Sequence, residues 1–415
     1  MKKFILTVFA LVSFFSIANA QWVEQTSGVT ITLYSVSAVD DNVAWVAGAG
    51  GAVLRTTDGG ATWTNVTGAP IPVSLDLYNI YGVDANTALV TGSGSTAFVY
   101  RTTDGGNTWT EVFSQPGGFL NVIKMLDANN GFMEGDPVGG RWSLFKTNDG
   151  GATWDSTGMY LAQNGGEAGW NNSGFVSGTN VYFGTSGGRV YFSSTSGTNF
   201  TAQSTGNEVN SYSVWFNDAN NGLAGGTGLV KTTNGGASWA PLPAPGTAGI
   251  TGIIGSGNNW WVARQDANIL YSNDNGASWT TQYSAPGGVF TSISKSRSGN
   301  SAWAVRSAGG ISKNANLVGV INISSELPEG FLLSQNYPNP FNPATTINFS
   351  IPENSFVKLR VFDMLGREVD VLVNEELNAG TYAFDFNATA LNSGIYFYSL
   401  EAGSFKDTRK MILVK

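Results

Sequence analysis

The 415 residues carry 21 Lys and Arg against 29 Asp and Glu, a formal charge of −8, and contain neither Cys nor His. Without Cys there are no disulfides or thiolate metal sites, and without His there is no zinc centre, Ser-His-Asp triad or Cys-His dyad, so any catalysis would rest on Asp, Glu, Tyr, Lys or Arg. The acidic balance argues against a nucleic-acid surface, while 54 Gly, 13 Trp and 24 Phe with only 12% charged residues suit many short strands and tight turns.

Residues 1–20 read as a secretory signal peptide: Lys2 and Lys3, an apolar run over 4–17, then Ala18-Asn19-Ala20 as a small-x-small cleavage site. The run is too short to span a bilayer comfortably, and no later stretch is long and apolar enough to do so. The mature chain is expected to begin near Gln21.

One phrase then recurs: Thr56-Thr57-Asp58-Gly59-Gly60-Ala61-Thr62-Trp63, and again around Asp104 and Trp109, Asp149 and Trp154, Asn234 and Trp239, and Asp274 and Trp279. A decayed copy over 193–200 keeps Gly197 and has Phe200 in the Trp position. Intervals of roughly 39 to 46 residues match a propeller blade rather than a helical solenoid. The first unit reads as four strands, over 33–39, 43–47, 52–55 and from Trp63 onward, with a turn at Asp40-Asp41-Asn42 and the Asp58-Gly59-Gly60 hairpin before the fourth. The third strand recurs at 98–101, 143–146, 190–193, 228–231, 269–272 and 310–313, which makes seven units.

The phrase has a mechanical reading. Asp58 is placed to accept backbone N–H groups two or three residues on, Gly59 and Gly60 supply positive φ, and the hydroxyls of Thr56 and Thr62 tie the two strands. Trp63 then packs between neighbouring sheets. Six equivalent turns around a ring do not converge on one substrate, so Asp58, Trp63, Asp104, Trp109, Asp149, Trp154, Asn234, Trp239, Asp274 and Trp279 read as structural. The seventh unit stops after its third strand, and Trp22-Val23-Glu24-Gln25 resembles a fourth strand, so the N-terminal segment is expected to close the ring and remove the free sheet edge.

Beyond Asn316 the period is lost. Residues 319–334 read as a linker, and alternating segments at 346–351, 356–363, 381–387, 394–400 and 406–414 read as a small Ig-like β-sandwich spanning 335–415. The expected fold is therefore all-β: a seven-bladed β-propeller over 21–318, then the sandwich.

Two resemblances follow from these residues. The repeated phrase resembles the Asp-box, or BNR, repeat found in sialidases, two-propeller xyloglucanases, sortilin-type receptors and photosystem II assembly factors; that resemblance implies a propeller whose boxes shape turns away from the binding face. The run Tyr337-Pro338-Asn339-Pro340-Phe341-Asn342-Pro343, the segment Val361-Phe362-Asp363-Met364-Leu365-Gly366-Arg367, the phrase Leu391-Asn392-Ser393-Gly394-Ile395-Tyr396 and the basic end from Lys410 to Lys415 resemble the C-terminal sorting domain of the type IX secretion system of the Bacteroidota and relatives. This implies passage through the periplasm, release or outer-membrane surface display, and the secretion machinery as a partner.

A ligand would meet the loops opposite the boxes. The richest is 134–142, with Glu134, Asp136, Arg141 and Trp142; next come 160–170, with Glu167 and Trp170, and then Arg189, Arg264-Gln265-Asp266 and Arg306 in other blades. Asp136, Arg141, Trp142, Trp170, Arg189 and Arg264 are the candidate binding residues, and Glu134 and Glu167 the candidate carboxylates of a glycoside hydrolase. The alternative for each is a solvated loop residue or a local ion pair. A sialidase would need three Arg, a Tyr-Glu pair and an Asp acid; the Arg-Ile-Pro motif is absent and no Tyr-Glu pairing is legible. A xyloglucanase cleft needs a second propeller, and the photosystem reading needs a basic patch, whereas residues 21–320 hold 12 Lys and Arg against 18 Asp and Glu. The boxes lack the alternating oxygen ligands of a calcium loop. The expectation is a surface or released binding or scaffold protein for a glycan or protein ligand, without metal, cofactor, nucleic acid or membrane span; the alternative is a glycoside hydrolase.

Overall fold

The computed structural model describes residues 22–415 apart from 207–209, 245, 298–299, 316, 318–319, 325–326 and 389–390. The expected signal peptide, 1–20, lies outside the described residues. The chain forms a seven-bladed β-propeller followed by a β-sandwich.

The first strands of the blades are Leu33–Ala38, Leu77–Gly82, Leu120–Met125, Gly169–Ser177, Ser211–Phe216, Ile250–Ser256 and Phe290–Lys295. Each packs against the first strand of the next, and the last packs against the first, so they line a closed central channel. Later strands of each blade pair outward in chain order. Trp22–Gln25 supplies the missing outer strand of blade 7, antiparallel to Ile311–Asn314 in register from Trp22↔Asn314 to Gln25↔Ile311. Closure is reinforced by side chains. Trp22 is buried and its Nε1 donates to Gln282 Oε1 at 2.8 Å. The Glu24 carboxylate receives Arg306 Nη1 at 3.0 Å and Ser312 Oγ at 2.6 Å, together with Arg306 Nη2 and the Tyr283 hydroxyl. Burial pushes Glu24 up, but these donors outweigh it and hold the carboxyl below its ordinary value.

The propeller has no single core; apolar clusters lie between successive blades. Each contains one aromatic from the fourth-strand entry, in ring order Trp22, Trp63, Trp109, Trp154, Phe200, Trp239 and Trp279, packed against the preceding blade. The box turn positions that aromatic. Thr56 Oγ1 donates to Asp58 Oδ1 at 2.8 Å and accepts Gly60 N at 2.8 Å, while Asp58 accepts Thr62 N at 2.9 Å and Thr62 Oγ1 at 2.6 Å. The main acceptor bond therefore reaches four residues on rather than two or three, because Gly59 and Gly60, at φ 74° and 86°, curl the chain back over the carboxylate. Asn234 reproduces it with an amide, accepting Ser238 N at 2.9 Å and donating to Ser238 Oγ at 2.9 Å.

Blade 3 departs from the four-strand expectation: it has three strands, Leu120–Met125, Gly131–Val138 and Arg141–Thr147. After Trp154 the outer edge of Arg141–Thr147 meets two isolated pairings in place of a strand, Lys146 with Asp155 and Arg141 with Ala162. Asp155 Oδ1 accepts Thr157 N at 2.9 Å and Thr157 Oγ1 at 2.7 Å, which turns the chain away before a fourth strand can form.

The C-terminal unit stacks two four-stranded sheets. Val320–Ser324, Gly380–Asn387, Ala344–Ile351 and Leu332–Leu333 form one, in that spatial order, and Glu368–Leu377, Ser355–Phe362, Gly394–Ala402 and Phe405–Leu413 the other. Two of these strands lie in the stretch read as linker: Val320–Ser324 pairs with Gly380–Asn387, and Leu332–Leu333 with Ala344–Ile351. Leu333, Phe349, Leu359, Tyr398 and Met411 are among the buried residues between the sheets.

Candidate functional site

The channel mouth opposite the boxes is built by a repeated irregularity. In six of the seven blades the first strand slips against the second one step after it enters, leaving Tyr34, Tyr78, Asn121, Tyr212, Thr251 and Thr291 as bulged residues. A bulge re-aims its side chain and often sits beside functional sites. In blades 6 and 7 the bulged hydroxyl stitches to the next blade: Thr251 Oγ1 donates to Phe290 O at 2.9 Å and Thr291 Oγ1 to Leu33 O at 2.5 Å.

In blades 1, 2 and 5 the bulged residue is Tyr, and with Phe119 and Trp170 these rings form two groups, together called the collar. Tyr34 and Tyr78 lie 5.0 Å apart, Tyr78 and Phe119 5.0 Å apart, and Trp170 meets Tyr212 edge-on at 4.4 Å. All five are half-buried. The Tyr34 hydroxyl donates to Asp76 Oδ2 at 3.3 Å, and Gly50 N donates to Asp76 Oδ1 at 3.0 Å. Burial, then Asp76 and Tyr78, push the Tyr34 phenol up to about 12, so it remains a donor at neutral pH.

Blade 4 has the largest bulge: four residues, 170–173, lie between the paired positions Gly169 and Gly174. Asn172, at φ 65°, reaches across the channel; Ser35 Oγ donates to its Oδ1 at 2.6 Å and its Nδ2 donates to Tyr34 O at 3.1 Å. The bulge thus plugs the channel beneath the collar.

Of the residues singled out from sequence, Trp170 stands on the collar. Trp142 does not: it is 1% exposed, packed between blades 3 and 4 against Phe183 and Tyr191, and has no ring face for a ligand. Asp136 is a tie, accepting Asn121 Nδ2 and Gly169 N, each at 2.8 Å. Arg141 is exposed at the edge of blade 3. Arg189 pairs with Glu167 at 3.2 Å, and Arg264 is buried against Asp266 at 2.5 Å. Glu167, 3% exposed, also accepts the hydroxyls of Thr185 and Tyr191, the latter at 3.0 Å, and so anchors its loop. Glu134 is fully buried, and among the described residues neither carboxylate oxygen has a well-formed hydrogen bond; the neighbouring Asn121 amide donates to Asp136 and only slightly offsets the burial. Burial first, then the Asp136 charge, pushes Glu134 well above the ordinary carboxylate range. Among the described residues no group of three or more Asp or Glu is placed to hold a metal.

Tyr34, Tyr78, Phe119, Tyr212 and Asp76 were missed from sequence. The signal available was positional, with Leu33-Tyr34-Ser35, Leu77-Tyr78-Asn79 and Ser211-Tyr212-Ser213 recurring at the start of the first strand.

Comparison with known proteins agrees with this architecture. Residues 335–415 match the secretion system C-terminal sorting domain, which indicates export by type IX secretion to the cell surface or extracellular space. No curated protein sequence matches the chain. Among solved structures, YCF48 bound to D1 peptide is similar at a TM-score of 0.58 and 20% identity, covering 71% of this chain and 96% of that one. YCF48 from Cyanidioschyzon merolae is similar at 0.57 and 19%, covering 71% and 98%. The WD40 β-propeller domain of Doa1 is similar at 0.54 and 11%, covering 70% and 96%. At these identities the likeness is one of fold. No helix among the described residues is long and apolar enough to cross a membrane.

Proposed function

We propose that the propeller is a binding or scaffolding module, displayed or released outside the cell by its sorting domain, that takes a glycan or protein ligand at the channel mouth. The observation that carries this reading is the collar of Tyr34, Tyr78, Phe119, Trp170 and Tyr212 around a plugged channel, with Asp76 beside it. Half-buried aromatic rings offer apolar area at low entropic cost, whether to a sugar face or to an aliphatic or cationic side chain, and the carboxylate supplies an acceptor. That YCF48 has been solved with a peptide bound supports including a protein segment among the ligands.

The hydrolase alternative gains little. Glu134 is enclosed away from solvent, and the carboxylate of Glu167 is engaged by Arg189, Thr185 and Tyr191. The test is a glycan array and a peptide library probed with the mature protein, run beside hydrolysis assays on the same glycans. Binding without turnover is expected. Turnover that vanishes in Glu134→Gln or Glu167→Gln, with folding intact, would replace the binding reading by the hydrolase.

A further inference from the structure

The opposite face of the ring carries a second asymmetry. Beside four box turns the fourth-strand segment of the preceding blade fills the available space, Gln25 against Gly60, Val66 against Gly106, Gln203 against Gly236 and Leu242 against Gly276, whereas at Gly151 and Gly197 a second-strand side chain does so, Leu89 and Phe132. Cations of the third strands also cap the next turn, with Arg55 Nη1 donating to Gly105 O at 3.0 Å, Arg101 Nε to Gly150 O at 2.9 Å, Lys231 Nζ to Asn275 O at 2.7 Å and Lys313 Nζ to Gly59 O at 3.0 Å. Between blades 3 and 4 the cover is thinner: the second-strand side chain Phe132, not a fourth-strand residue, packs against Gly197, and the cation cap is missing among the described residues. Blade 3 has no fourth strand to reach over the gap, and Lys146, its third-strand cation, makes no such bond to the decayed turn of blade 4. A cleft of about 710 Å³ opens there, within the range of small-molecule sites.

Its walls hold unused hydrogen-bonding capacity. The ammonium of Lys146, the amide of Asn148 and the hydroxyls of Thr179, Ser196 and Thr198 all line the cleft, and among the described residues none of these side-chain groups has a hydrogen-bond partner in the protein. Asp127 and Asp155 stand on the same wall, so it offers acceptors as well as donors and its charge disfavours an anion. A cation would meet Lys146. Among the described residues no aromatic side chain lines the cleft and Leu126 is its large apolar side chain, so recognition would come mainly from hydrogen bonds.

We propose that this cleft is a binding site for a neutral polyhydroxylated ligand, a mono- or disaccharide, on the box face and separate from the channel mouth. Each sugar hydroxyl both donates and accepts, which matches a wall of hydroxyls, amide, ammonium and carboxylates better than any singly charged ligand does. The test titrates the full mature chain with glucose, galactose, N-acetylglucosamine and cellobiose by calorimetry, up to about 50 mM to reach weak binding. At least one of the four is expected to bind, about tenfold more weakly to Lys146→Ala and not measurably to Thr198→Trp, which fills the cleft; both variants should keep the parent melting temperature. No binding by any of the four, or binding that survives Thr198→Trp, would overturn the proposal. Binding lost in Tyr78→Ala but kept in the cleft variants would assign the sugar to the channel mouth, leaving that reading intact and this one refuted.

Discussion

Asp58 and Asp149 are exposed and Asp104 half-buried, and all three carboxylates are held at about 2, chiefly by the hydroxyl and backbone N–H of Thr62, Thr153 and Thr108. Their folded values lie below the unfolded value of roughly 3.9, so the stability they contribute is present above pH 4 and lost as the pH falls towards 2. The melting temperature should drop across that window, and Asp104→Asn should make the drop shallower; an equally steep acid limb in the variant would contradict this. Glu134 has the opposite sign. Its folded value is raised, so its contribution is present below about 4.3 and lost as the pH rises towards the folded value. Glu134→Gln should therefore raise the melting temperature at pH 7 and change it little at pH 4. Box residues were legible in the sequence because the turn repeats the same polar atoms at the same spacing. The burial of Glu134 and Trp142 was not, since both sit in a stretch that reads as a polar loop but continues a strand, Gly131–Val138, and opens the next, Arg141–Thr147.

At the scale of the element, the fourth-strand aromatics bind each blade to the one before. Trp109 is 4% exposed and its Nε1 donates to Val66 O at 3.0 Å. Trp109→Ala should cost about 3–5 kcal/mol in denaturant unfolding, and Trp142→Ala a similar amount. A Trp142→Ala protein as stable as the parent would show that the ring is not the packed element described. The third strands and their turns could be read because six of the seven end at a box. The bulges could not, because each falls at the second residue of its strand, so no alternation precedes it whose phase could be seen to shift; only the pairing of Leu33 with Gly48 and of Ser35 with Ala47 reveals that Tyr34 is left over. The missing fourth strand of blade 3 was hidden for a related reason: Trp154 is present, and what fails is the Asp155 turn after it.

At the scale of the whole molecule, the ring is closed by four residues from one end of the propeller pairing with four from the other. Removing Trp22–Gln25 should lower the melting temperature by many degrees, and Glu24→Ala by less, because it leaves the strand and Trp22 in place; an unchanged melting curve for the deletion would sink the closure account. This closure could be read from sequence because Trp22 mimics Trp63. The limit of the second unit could not, since Val320–Ser324 carries no turn signal distinguishing a strand of the sandwich from a tether. The central claim, that the collar rather than the boxes carries recognition, is tested most directly by the affinity of the mature chain for the best ligand from the array and library, compared among Tyr78→Ala, Trp170→Ala and Asp104→Ala. The account predicts at least a tenfold loss in the two collar variants at unchanged melting temperature, with Asp104→Ala less stable but equal in affinity per folded molecule. Full affinity in both collar variants, or a loss in Asp104→Ala alone, would contradict it.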